Sequence, residues 1–133
     1  MIDLSQELMA KAKRAHKSAI TLFTDGDYDG TLNRAYYAMH DAAKSALVYL
    51  YISGAEEIRT HSGLIAAFSQ HLVKTGKVRG ELGKMLSRAE QARLIADYSG
   101  VSIDGDKAKE HLANAKSFIS EIENTIIKGM DTE

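Results

Sequence analysis

Apolar residues along this chain recur at alternating steps of three and four, the spacing that gathers them on one face of an α-helix. The first stripe, over Leu4–Thr24, carries Leu4, Leu8, Ala12, Ala15, Ala19 and Leu22. The second, over Tyr28–Ser53, carries Leu32, Ala35, Met39, Ala42, Ala46 and Leu50. A third, Ser62–Thr75, uses Leu64, Ile65, Phe68 and Leu72, and a fourth, Gly80–Ser99, uses Leu82, Met85, Leu86, Ala89, Ala92 and Ile95. The last, Gly105–Lys128, uses Ala108, Leu112, Ala115, Ile119, Ile122 and Ile126. The patterns stop at Gly26, Gly54, Gly76, Gly100 and Gly129, where a glycine supplies the left-handed residue that closes a helix. Asp3 with Gln6 has the form of a capping box, and Asp104 is the expected cap of the last helix.

No stretch alternates with period two, so no sheet is expected. The spacing predicts an all-α fold, an up-and-down bundle of about five helices whose short links make antiparallel neighbours. The alanines of the second helix should let a partner helix approach closely. With 133 residues the chain fits one domain, residues 1–133, with Met130–Glu133 as a frayed tail.

Composition narrows the chemistry. There is no cysteine, which removes disulfides, thiolate metal sites and a thiol nucleophile. The 17 basic and 18 acidic residues leave a net charge of −1, which argues against a broad footprint for duplex DNA or an anionic membrane. The charged N-terminus lacks the apolar core of a signal peptide, and no apolar run is long enough to span a bilayer. A soluble cytoplasmic protein is expected, with no membrane partner.

The polar residues concentrate in Asn33–Lys44, NRAYYAMHDAAK. At about 100° per residue, positions seven apart nearly eclipse and positions six apart diverge by about 120°. Arg34 and Asp41 therefore share a face with Tyr37, while Asn33, Tyr36 and His40 share the next. Arg34–Asp41 reads either as an ion pair that fixes helix register or as an anion-binding arginine oriented by a carboxylate. His40 is either a half-exposed helix residue or an acid–base group. His61 lies at the start of the third helix, in THSGLIAAF, where free amides favour anions. Arg93 and Asp97 form an i,i+4 pair beside Tyr98 and suit a solvated surface pair or a ligand contact. His16, His71 and His111 fall on polar faces and receive no role. Histidines at metal-pair spacing, a GxxxxGK[ST] loop, GxGxxG and GxSxG are all missing, so neither a metal nor a cofactor is expected.

NRAYYAMHDAAK, THSGLIAAF and AEQARLIADYSG, followed by a closing amphipathic helix, together resemble the HEPN-domain family from about Leu4 to Ile127. That resemblance implies a helical bundle that forms a homodimer. It also implies pairing with a minimal nucleotidyltransferase in toxin–antitoxin modules, and RNA or nucleotide as ligand. Many HEPN proteins are metal-independent ribonucleases whose motif is an arginine followed, after a short spacer, by a histidine. Arg34 and His40, five residues between them, fit that form, although Ala42 stands where well-defined toxins carry a tyrosine. The catalytic set implied is Arg34, His40 and His61, and the binding set is Arg34, Tyr37, Asp41, Arg93, Asp97 and Tyr98. A non-catalytic module serving a separately encoded nucleotidyltransferase is the other reading.

Overall fold

The structure, a computed structural model, describes residues 3–127. Helix α1 spans Leu4–Thr24, α2 Tyr28–Tyr49, α3 His61–Phe68, α4 Gly80–Tyr98 and α5 Gly105–Ile122. Single π-helical turns extend α3 through Ser69–Val73 and α5 through Glu123–Ile127, and a 3-10 turn, Ala55–Glu57, precedes α3. There is no strand among the described residues, and no helix among them is long and apolar enough to cross a membrane. The expected stop at Gly129 and the tail Met130–Glu133 lie outside the described residues.

Helix α2 is the central element, packed against α1, α3, α4 and α5. Against α1 it presents a seam of small residues: Ala12, Ala15 and Ala19 are buried in α1, and Ala35, Ala38, Ala42 and Ala46 in α2. The helices run antiparallel, and at one end of the seam Ser5 and Ser45 exchange hydroxyl-to-carbonyl hydrogen bonds of 2.9 and 2.7 Å. Small side chains let the two backbones close on each other, as the alanine pattern anticipated.

The left-handed stop of α2 is not a glycine. Tyr51 takes φ 56°, with the Tyr51 amide bonded to the Val48 carbonyl and the Ile52 amide to that of Leu47. The helix therefore ends at Tyr49, four residues before the expected Ser53, and Gly54 at φ 79° opens the 3-10 turn instead. The stripe of α4 is also rotated from expectation, and that of α5 holds but gains a polar member. On α4 the buried positions are Leu82, Leu86, Ala89, Arg93 and Ala96, while Ile95 is exposed. On α5, His111 is buried beside Ala108, Ala115 and Phe118 rather than on a polar face.

Thr60 sets the start of α3. Its hydroxyl accepts from the Gly63 amide at 2.9 Å, and a Cβ on Gly63 would lie 2.7 Å from that oxygen. The cap and the missing side chain are one device. Thr60→Ala should lower stability by about 1 kcal/mol, read as a lower urea midpoint at unchanged slope, and Thr60→Ser should restore it.

Candidate functional site

Three helices bring one polar and aromatic cluster together. From α2 come Asn33, Arg34, Tyr36, Tyr37, His40 and Asp41; α3 supplies His61; α4 supplies Glu90, Arg93 and Asp97. The two histidines that sequence placed on separate elements face each other, with ring centroids 5.3 Å apart and nearly perpendicular. Tyr36 and Tyr37 flank both rings, Tyr36 at 5.8 Å from His40 and 5.3 Å from His61, Tyr37 at 6.0 and 5.8 Å.

Each imidazole is held through Nδ1. The His61 Nδ1 lies 2.8 Å from the Tyr36 hydroxyl. The His40 Nδ1 is 3.4 Å from Asp41 Oδ1. Neither Nε2 makes a hydrogen bond among the described residues. Burial holds His61 below the ordinary histidine range, and the charges of Arg93 and His40 add to this while Glu90 opposes it. Tyr36 is fully buried, and burial together with the Glu90 carboxylate pushes its hydroxyl far above the usual phenol range. It stays protonated.

Beneath the tyrosines lies Arg93, only 5% exposed. A buried guanidinium needs partners, and it has two carboxylates: Glu90 at 3.0 Å and Asp97 at 3.0 Å. Its Cζ also sits 5.2 Å from the Tyr36 ring centroid and 5.7 Å from that of Tyr37, distances at which the ring face attracts a cation. Burial works against the charge, but hydrogen bonds and charge from Glu90 more than offset it and raise the arginine pKa. Asn33 ties α2 to the same array through Asp97 Oδ2 at 3.3 Å.

Arg34 and Asp41, read from sequence either as a register-fixing ion pair or as an anion site oriented by the carboxylate, make no contact with each other. Asp41 is buried beside His40, while Arg34 is half-buried, 6.0 Å from the Tyr37 ring, with no carboxylate within ion-pair distance among the described residues. Arg34 is thus a cation open to an anion. The surface reading of Arg93–Asp97 is also overturned, because Arg93 occupies a core position of α4. Tyr98 is 78% exposed and makes no ring contact with the cluster. Glu90 and Tyr36 were missed as site residues. Glu90 stands three residues before Arg93 and Tyr36 four before His40, helix-neighbour spacings that sequence alone offers for many pairs. Among the described residues no three histidine or carboxylate side chains converge as a metal site would require.

Comparison with known proteins agrees with the fold. The HEPN domain family model matches residues 5–125. A UPF0332 protein of Gloeobacter violaceus is 34% identical over 102 residues, covering 77% of this chain and 78% of its own. A UPF0332 protein of Thermotoga maritima is 32% identical over 117 residues, 87% of this chain and 86% of its own. A Methanocaldococcus jannaschii protein designated a candidate toxin is 26% identical over 130 residues, 93% of this chain and 86% of its own.

Proposed function

The chain belongs to the HEPN family, and on that premise we propose that it is a toxin-type member that cleaves RNA without a metal, through His40, His61 and Arg34. The observation that carries the reading is the pair of facing imidazoles, each tethered at Nδ1, beside an arginine; among the described residues neither Nε2 is engaged and the arginine has no carboxylate partner.

In this reading the cluster sets the tautomer of His61. The Glu90 carboxylate, close enough to push the Tyr36 hydroxyl above its usual range, is taken as the acceptor of the Tyr36 proton. The phenol oxygen then accepts from His61 Nδ1–H, which leaves the Nε2 lone pair as the base. His61 takes the proton of a ribose 2′-hydroxyl, whose oxygen attacks the adjacent phosphorus. His40, directed by Asp41, returns a proton to the departing 5′-oxygen. The products are a 2′,3′-cyclic phosphate and a 5′-hydroxyl. Arg34 meets the charge that grows on the phosphoryl oxygens, where a fixed donor is most effective. Tyr37 supplies a face on which a base stacks.

The test is purified protein on a mixed-sequence RNA with and without a metal chelator. Chelator-insensitive cleavage leaving cyclic phosphate ends is expected. Arg34→Ala should reduce it by about a hundredfold or more, with an unchanged circular dichroism melt. Undiminished cleavage in that folded variant would remove Arg34 from the mechanism.

A second reading rests on a different observation. Leu94, Tyr98 and Val101 stand exposed along the last turns of α4 and just beyond it, Leu94 and Tyr98 following Arg93 and Asp97 in sequence, and would be covered by a second copy or a separately encoded nucleotidyltransferase. A homodimer suits the first reading and a nucleotidyltransferase complex the second. If the clean protein cleaves no RNA yet co-purifies with such a partner, the non-catalytic module is the function.

A further inference from the structure

A different face of α4 forms a second candidate site, separate from the histidine cluster. Between α4 and α5 lies a cleft of about 290 Å³, near the lower bound of roughly 300 Å³ for small-molecule pockets. It sits over the smaller of the two apolar clusters, which is built around Leu32, Ala96 and Ala108. Ile95 and Ile103 form its apolar walls, His111 and Asn114 its polar side, and Arg88 and Lys107 its basic edge.

His111 is the informative residue. It is 8% exposed, yet it makes no hydrogen bond among the described residues, and none of their buried side-chain nitrogens or oxygens is left without a partner. Its ring nitrogens are therefore reached by solvent, and the cleft is the space that His111 lines. A polar ring that opens on a cleft without a protein partner is served there by water, or by a ligand that replaces that water. Burial, with Lys107 adding and Glu110 opposing, holds this histidine below its ordinary range. A neutral imidazole presents one donor and one acceptor. Asn114, half-buried on the next turn of α5, offers an amide with both functions and makes no hydrogen bond among the described residues. Glu110 shares the edge, 3.7 Å from Lys107, and Arg88 pairs with Glu81 at 3.3 Å. These exposed pairs are weak and readily exchanged, so Lys107 and Arg88 can turn from their carboxylates to an anion in the cleft.

We propose that this cleft binds a small planar heteroaromatic anion. The ring lies between Ile95 and Ile103, its polar edge meets His111 and Asn114, and its anionic group is taken by Lys107 and Arg88. The site does not depend on the ribonuclease reading, since it uses none of the residues of the histidine cluster.

Nuclear magnetic resonance of the full chain decides it, with adenosine monophosphate and nicotinate as probes and inorganic phosphate and adenosine as controls. At least one probe should shift the Ile103 methyl and His111 ring signals saturably, and bind at least about tenfold more tightly than either control. Lys107→Met and Asn114→Ala, at exposed and half-exposed positions, should each weaken binding by about three- to tenfold. The proposal is overturned if neither probe gives a saturable shift at millimolar concentration. It also fails if the shifts centre on His61 instead, or if both variants bind as the parent does.

Discussion

His61→Ala should lower RNA cleavage by about a hundredfold to ten-thousandfold, the range for removing a positioned acid–base group, while leaving the fold intact. His61 is only partly buried, at the first position of α3, and Thr60 rather than His61 caps that helix. The loss should therefore appear in turnover and not in the melting curve. The pH profile supplies a second readout. A base acts in its neutral form, so activity falls as pH drops through its pKa. Because burial lowers the His61 pKa from 6.5, the acid limb should lie below pH 6.5. Glu90 opposes that lowering, so Glu90→Gln should carry the limb to still lower pH. An acid limb unmoved by Glu90→Gln and unaltered cleavage in His61→Ala would together reassign the base.

Arg93→Ala should be the most destabilising single change in the cluster, costing about 3 kcal/mol or more in urea unfolding. The substitution removes a nearly buried guanidinium from between Glu90 and Asp97 and strips the cation from the two tyrosine faces. Glu90, with its side chain 15% exposed, is then left with a charge it cannot fully hydrate. Most of the cost belongs to that orphaned carboxylate and not to the pair itself. The double variant Glu90→Gln, Arg93→Met should accordingly recover a large part of the loss. A double variant no more stable than Arg93→Ala would show that the arginine acts through its contacts with Tyr36 and Tyr37.

The helices and their faces were legible because small apolar residues recur at helical spacing from end to end, and because Gly26, Gly76 and Gly100 do take positive φ at helix ends. What misled was any position whose chemistry runs against its burial. Arg93 stands at a core position of α4, and a stripe drawn through apolar residues necessarily passes it by and picks Ile95. His111 was missed on α5 for the same reason. Tyr51 ends α2 in a backbone conformation that sequence assigns to glycine. Within the site, the helical wheel correctly placed Tyr37 beside Arg34 and Tyr36 beside His40, but a wheel knows only its own helix. Asp41 turned to its immediate neighbour His40, and Arg34 was left without a carboxylate partner among the described residues. The meeting of His40 with His61 depends on how α3 docks against α2, which no local pattern encodes. Glu90 became visible only once Arg93 was seen to need it.

The alanine seam between α1 and α2 has a consequence for how tightly the site is registered. An alanine side chain has no rotamers to lose on burial, whereas leucine or methionine gives up conformational entropy when it is fixed. The helix that carries Arg34, Tyr36, Tyr37, His40 and Asp41 is thus seated on α1 largely through residues with a single shape. Such a contact has no alternative packing to relax into, so a bulkier residue at Ala38 or Ala42 would displace the backbone instead of being absorbed. Damage there would be felt as misalignment of the two imidazoles, several ångströms away, before it was felt as unfolding.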